Sequence, residues 1–378
     1  MDTICSVEWN EECRVEALQR SIEKVLSAGA QSICVFACLG NEECPNEIDV
    51  YLRTVPVPIF GGIFPNLIYD GRRQDCGVLA IGFSVEVTVT VVANLSNAEQ
   101  LLEERVRQQC RKVTNDHGKL IIVDGFAKNI ELFLESLYSI IGPGADIVGC
   151  GAGTLDFVQK PCVMTNDGLL KDAAIVTEFP FEVRRGFQHG WKILDGPFLV
   201  TGARGNSIDT LNYRPAFDVY REHVESASNR EVTQEDFFSV AKTFPLGMEH
   251  FGGDILVRDL LRCANKSMIS VGGVPENATV YILQGDESQI IQSAGIAAAD
   301  ARRAASETGT NAVSAAFIFD CVSRLLLLEE NFKDELDEMH RALGSDCKTF
   351  GVLSIGEITN TPHGPIGLLN KSTVVGVF

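Results

Sequence analysis

The apolar residues of the chain fall into short runs that recur three times in the same order. The first set opens with Ser32 to Ala37, continues through an amphipathic stretch to Tyr51, and closes with Val57 to Gly62 and Gly77 to Phe83. The second set is Lys119 to Asp124, then 129–141 with Leu132, Phe133, Leu137 and Ile140 on one face, then Asp146 to Gly151 and Asp172 to Thr177. The third is Ala315 to Asp320, a helical stretch around Phe332 to Leu343, Thr349 to Gly356, and Ser372 to Val377. Each set therefore predicts strand, helix, strand, strand. Runs apolar at nearly every position predict strands covered on both faces.

Further elements lie between the sets. Asn97 to Cys110 and Ser288 to Ser306 predict helices; the second is Ala-rich, with Ile291, Ala294, Ala298 and Ala301 inward. A connecting helix between Leu211 and Ser226 has Pro215 in its first turn. Asn166-Asp167-Gly168 predicts a hairpin turn, and Val271 to Asn277 a second turn leading into Thr279 to Leu283. The expected fold is α/β (mixed α+β): two subdomains with mixed central sheets flanked by helices, built from a repeated β-α-β-β unit. The expected divisions are an N-terminal helical lead-in at 1–29, one domain at 30–212 and a second at 213–378.

Charge and cysteine usage narrow the partners. The 378 residues carry a net charge of −19. Such a surface repels nucleic-acid phosphates and anionic membrane, and the densest basic spots are pairs such as Arg184-Arg185. No export signal or membrane-length apolar run is evident, so a cytoplasmic protein with reduced thiols is expected. The 12 cysteines include no CxxC. Cys34, Cys38 and Cys44 come nearest to a metal spacing, but an extended strand separates the first two by about 13 Å.

Many short motifs, in order, resemble the FIST family of signal-transduction modules. The N-terminal half is similar to FIST-N through Gly61-Gly62, Gly149-Cys150-Gly151-Ala152-Gly153, Asn166-Asp167-Gly168 and Gly186 to Trp191. The C-terminal half is similar to FIST-C through Pro245-Leu246-Gly247, Val257-Arg258-Asp259, Phe319 to Arg324, Gly356-Glu357-Ile358 and Asn370 to Thr373. Ser323 stands where the family usually has Gly, and Leu368-Leu369-Asn370 lacks the family's histidine. The resemblance implies a FIST-N-like domain at 30–212 and a FIST-C-like domain at 213–378. It also implies a sensory role: binding a small, amino-acid-like ligand and signalling through a partner protein such as a kinase. Some relatives bind haem and report nitric oxide. A homodimer is compatible with this reading.

The candidate site residues follow from these motifs. Gly61, Gly62, Gly149, Gly151 and Gly153 either serve tight strand ends or let backbone amides approach a ligand. GxGxG followed by a loop rather than a helix is not a dinucleotide site. Asp320, Cys321 and Arg324 follow the third buried strand. Arg324 can clamp a carboxylate bidentately, and Glu357 either binds an amine or pairs with Arg324. Together with Asn370, this arrangement suits a zwitterion. A nucleophilic Cys321 would need a base, and the nearest histidine in sequence is His340. His189, inside a motif, is the expected haem ligand, with His250 and His363 behind it. The expectation is a non-catalytic sensor, with a haem-binding nitric-oxide sensor and a cysteine-dependent enzyme as the alternatives.

Overall fold

A computed structural model describes residues 3–40, 45–228, 230–250, 254–307, 313–360 and 364–378. The three predicted sets are three copies of one larger unit. The first comprises β1 (Ile4–Asn10), α1 (Val15–Ser27), β2 (Ser32–Cys38), α2 (Pro45–Leu52), β3 (Ile59–Ile63), a hairpin of β4 (Asn66–Tyr69) and β5 (Arg72–Gln74), and β6 (Gly77–Phe83). The second repeats it: β7 (Thr88–Ala93), α3 (Glu99–Gln109), β8 (Lys119–Asp124), α4 (Ile130–Ile141), β9 (Ile147–Ala152), the hairpin β10 (Val163–Thr165) and β11 (Gly168–Leu170), and β12 (Ala173–Glu178). The third begins with β13 (Arg184–Gln188) and is then interrupted.

The interruption is a second body of structure. It contains β14 (Lys192–Arg204), β15 (Ser207–Leu211), β16 (Arg214–Pro215), α5 (Ala216–Ser228), α6 (Phe237–Ala241), β17 (Leu246–Glu249), β18 (Ile255–Arg258), β19 (Leu260–Ala264), β20 (Ser267–Ser270) and β21 (Thr279–Gln284). Its strands form one antiparallel sheet in the order β18-β17-β21-β14-β15-β20-β19, a half-barrel. The third unit then resumes with α7 (Glu287–Glu307), β22 (Ala315–Cys321), α8 (Val322–Leu328), α9 (Phe332–Leu343), β23 (Lys348–Ser354), the hairpin β24 (Glu357–Asn360) and β25 (Ile366–Leu369), and β26 (Thr373–Val377). The expected mixed α+β fold and the β-α-β-β repeat are both present.

In each repeat the two main strands run parallel and the closing strand runs antiparallel beside the first. The hairpins are exchanged in a closed ring. β4 of the first repeat pairs with β23 of the third, β24 of the third with β9 of the second, and β10 of the second with β3 of the first. No repeat's sheet is therefore complete without a neighbouring repeat.

The apolar runs explain the layering. Alternate residues of each central strand face different cores. Ile33, Val35 and Ala37 meet α1 and α2, Ile121 and Val123 meet α3 and α4, and Ala316 and Ile318 meet α7 and α9. Their neighbours Phe36, Ile122, Phe317 and Phe319 point the other way into one shared core. Strands buried on both faces leave no polar alternation to read.

Two features depart from the expectation. The segment before residue 30 is not helical throughout, because Ile4–Asn10 adds β1 to the edge of β6. A bulge between Ile4 and Ser6 breaks the alternation that would have signalled a strand. The hairpins β4–β5 and β24–β25 were also not foreseen; they are three or four residues per strand, too short for a periodic signal.

Candidate functional site

The three strand-end glycines at Gly61, Gly149 and Gly351 occupy the same place in the three repeats, opposite Val35, Ile121 and Ile318 on the neighbouring parallel strand. A Cβ at these positions would lie 1.8, 2.1 and 2.1 Å from the facing carbonyl oxygen. The space that each glycine frees is thus filled by backbone. Gly62 lies against the Cys162 carbonyl, Gly151 against the Ile355 carbonyl and Gly153 against the Phe126 ring. These five candidate glycines pack strand on strand; none of them lines the cleft described below.

Arg324 is likewise not free for a guest. It is wholly buried and its five N–H groups are all engaged. Nε donates to Glu335 Oε1 at 2.7 Å, and Nη1 donates to the carbonyls of His189 (2.9 Å) and Lys371 (3.2 Å). Nη2 donates to the Ile290 carbonyl at 2.7 Å and to Ser293 Oγ at 3.3 Å. Asp320 lies 3.3 Å from Nε, and its own carboxyl is pushed well above the usual range by burial and by the Glu335 charge. The expected Arg324–Glu357 pair does not form. Arg324 bonds to Glu335 because α9 brings that residue across the strand end. It is a structural hub joining α7, α9, the turn before β26 and the chain before β14.

The other motif residues do converge. A narrow cleft of about 30 Å³ lies where the inserted sheet meets the third repeat and the loop after β9, with Asp259, Cys321, Ser323, Ser354 and Asn370 at its polar end. That volume is close to one water's share of liquid. Phe157, Phe238, Leu326 and Ile355 form its apolar walls. Phe157 and Phe238 are 50% and 39% exposed and make the lip.

Asp259 joins the two bodies at this point. Its carboxylate pairs with Lys371 Nζ at 3.1 Å and accepts the Ser323 hydroxyl at 2.5 Å, while its backbone N–H donates to Asn370 Oδ1 at 3.4 Å. Lys371 Nζ also donates to the Lys242 carbonyl and stands 5.3 Å from the Trp191 ring centroid. Asp259 and Lys371 belong to the motifs Val257-Arg258-Asp259 and Asn370 to Thr373, yet were not singled out as site residues. Lys371 is the one charged residue among Asn370, Ser372 and Thr373, whereas Asp259 follows the charged Arg258.

Beside Asp259, Glu357 is fully buried and accepts hydrogens from Ser354 Oγ (2.7 Å), Ser372 N (3.2 Å) and Ser372 Oγ (3.1 Å). Burial raises its pKa to about 8 against those bonds and a contact from the Cys321 thiol. Burial, followed by the Glu357 and Asp259 charges, pushes the Cys321 thiol well above its ordinary value. A thiol held protonated is a poor nucleophile, and the nearby Lys371 charge does not offset the burial and the two carboxyls around Cys321. His340 carries no part of this site; it lies on α9 near Gly71.

Among the described residues the histidines do not form a haem pocket. His189 Nδ1 accepts the Trp191 N–H at 2.9 Å, and burial and the Arg324 charge lower its pKa to about 4. His189 does not line the cleft, whose volume is far below that of a porphyrin. His250 stands next to β17 in the inserted sheet, and His363 and Cys44 lie outside the described residues. Among the described residues no group of three or more His, Cys, Asp or Glu side chains is arranged to hold a metal ion. The residues around His189 do not fit the group. No helix among the described residues is long and apolar enough to cross a membrane.

A wider, open groove of about 690 Å³ runs along α5 and residues 230–235, but none of the candidate site residues lines it. Comparison with known families adds two matches. A model described as the FIST N domain matches residues 31–214, and one described as the FIST C domain matches residues 216–360. No curated protein matches the chain.

Proposed function

From the premise that this chain belongs to the FIST family, whose domains are signal-transduction sensory modules, we propose that it senses a small ligand at the Asp259 cleft. Occupancy is passed to a partner protein, such as a kinase, by movement of the inserted sheet against the ring of repeats. The observation carrying this reading is the convergence of Lys371, Ser323 and Asn370, all from the third repeat, on the single inserted-sheet residue Asp259. A guest that competes for those contacts changes how the two bodies are held together, and only such differential contact can bias a conformational equilibrium.

The ligand class that suits the cleft is amino-acid-like. An ammonium group would take the Asp259 carboxylate and a carboxylate would take Lys371, so the guest inserts into the ion pair. Its side chain would lie against Phe157 and Phe238. This replaces the expected Arg324–Glu357 clamp with Asp259 and Lys371, and retains Cys321 and Asn370 as contacts. Entry requires the two lip rings to swing outward, because the closed cleft is too small for any amino acid. The module acts without catalysis in this reading, which the protonated Cys321 thiol supports.

Native mass spectrometry of the purified full chain tests the proposal. A retained small molecule, lost in Asp259→Ala, is the expected result. Bare protein mass after exposure to a broad metabolite extract argues against it.

A further inference from the structure

The three repeats place corresponding residues at corresponding strand ends. Counting from the residue that faces each strand glycine, Cys38, Asp124 and Cys321 are equivalent, each three positions on. Counting back from the antiparallel partner, Cys76, Asp172 and Lys371 are equivalent, each four positions before Ala80, Val176 and Val375. In the third repeat this end forms the cleft. In the second, Asp124 Oδ2 accepts the Asp172 N–H at 2.7 Å and the Gln159 amide at 2.7 Å, which closes the site on itself. In the first repeat both positions are thiols, and a third thiol, Cys13, comes from the turn between β1 and α1.

Two of the three thiols are in contact, and the third lies close enough to act on them electrostatically. Cys76 and Cys13 share a side-chain hydrogen bond. Cys76 Sγ also donates to the Glu11 carbonyl at 3.2 Å, and Cys38 Sγ donates to the carbonyls of Pro65 (3.1 Å) and Asp75 (3.3 Å). Cys13, Cys38 and Cys76 are all partly exposed, whereas Cys34, Cys110, Cys150, Cys162, Cys321 and Cys347 are buried. Cys5 and Cys263 are accessible too, but Cys263 bonds to Gln234 and Cys5 lies on β1. The trio is not arranged as a metal site.

We propose that Cys13 and Cys76 are a dithiol modification site, oxidised to an intramolecular disulfide by a peroxide, with Cys38 as a neighbouring thiol that can exchange into it. The step balances with hydrogen peroxide as oxidant. One sulfur attacks the peroxide, breaking the O–O bond and giving a sulfenic acid and water. The second sulfur displaces the hydroxyl as another water, forming the S–S bond. Two electrons pass from the sulfurs to oxygen and both thiol protons leave in water. The sulfurs already make hydrogen-bond contact, so the bond needs them only to close to about 2 Å. Thiol–disulfide exchange by an adjacent free thiol then makes the bond reversible. Burial and the neighbouring thiols raise Cys76, which makes the site slow, suited to sustained oxidant rather than to a brief pulse.

The test is peroxide treatment of the reduced full chain, followed by non-reducing peptide mapping and a count of free thiols. The expected result is a dominant Cys13–Cys76 linked peptide, a loss of two thiols per chain, and full recovery with dithiothreitol. Cys13→Ser should abolish the link while circular dichroism shows the fold retained; if that variant fails to fold, the wild-type map alone decides. The proposal is overturned if the linked peptides join other cysteines, or if oxidation yields only unlinked sulfinic and sulfonic acids.

Discussion

Lys371 and Asp259 form a 3.1 Å ion pair that is almost wholly withdrawn from solvent and spans the join between the last repeat and the inserted sheet. Burying two charges is costly, and the Ser323 hydroxyl, the Lys242 carbonyl and the Trp191 ring help to offset that cost. A hydrophobic pair at that place would hold the two bodies together at no such cost. The charged pair is what a polar guest can compete for.

Lys371→Met leaves Asp259 buried and unpaired. It should lower stability by about 3–5 kcal/mol, the range for removing one partner of a buried pair. Urea denaturation gives the size. Hydrogen exchange gives the place, with protection lost first in β18 and β19. The double variant Asp259→Asn with Lys371→Met should recover much of the loss.

Arg324→Lys should be nearly as damaging as Arg324→Ala. A lysine cannot reproduce five donors in a planar fork, so Glu335, Asp320 and three carbonyls lose partners together. The expected loss is again about 3–5 kcal/mol, read as a fall in melting temperature. A near-native melting temperature for the lysine variant would show that the charge alone suffices.

Glu357 should make stability fall with rising pH. Its pKa is about 8 in the fold and near its ordinary value of 4.5 in the unfolded chain. Between those values the native state binds the extra proton, so its stabilising contribution is complete below pH 4.5 and is lost as the pH rises through 8. The slope should approach about 1.4 kcal/mol per pH unit in that window before other groups are counted. Glu357→Gln should flatten it, which melting curves from pH 5 to about 9 would reveal.

Gly149→Ala and Gly351→Ala should each destabilise by about 1–3 kcal/mol or more, since the added methyl meets a carbonyl at 2.1 Å in both. Gly367→Ala is the control, because its nearest contact would be 3.8 Å away. The exchanged hairpins predict that either core variant lowers a single cooperative transition rather than splitting it. Two separate transitions would mean that the ring is not one folding unit.

The parts of this architecture that sequence exposed are those with dense, local patterns. Ser32 to Ala37, Lys119 to Asp124 and Ala315 to Asp320 are buried on both faces, and continuous apolar runs report that directly. The ring closure is hidden because pairing partners such as Asn66 and Leu353 are remote in sequence and their strands are short. Motif order singled out Cys321 and Asn370, which line the cleft, together with Glu357 and Arg324, which do not. A charged residue in a motif looks alike whether it faces a guest or five internal acceptors. Only Glu335, supplied by a helix eleven residues downstream, shows which. Asp259 and Lys371 had the opposite problem: their motifs were visible, but nothing in the sequence placed 259 beside 371.

The central claim is that a zwitterionic guest inserts between Asp259 and Lys371, and the most direct measurement is the melting temperature of the full chain titrated with individual amino acids. The account predicts that at least one raises it progressively with concentration, as a ligand bound only by the native state must. The rise should vanish in Val271→Trp, which puts a larger side chain at a residue lining the cleft, while the unliganded protein still melts cooperatively. No shift with any amino acid, or a shift that survives Val271→Trp, would contradict it.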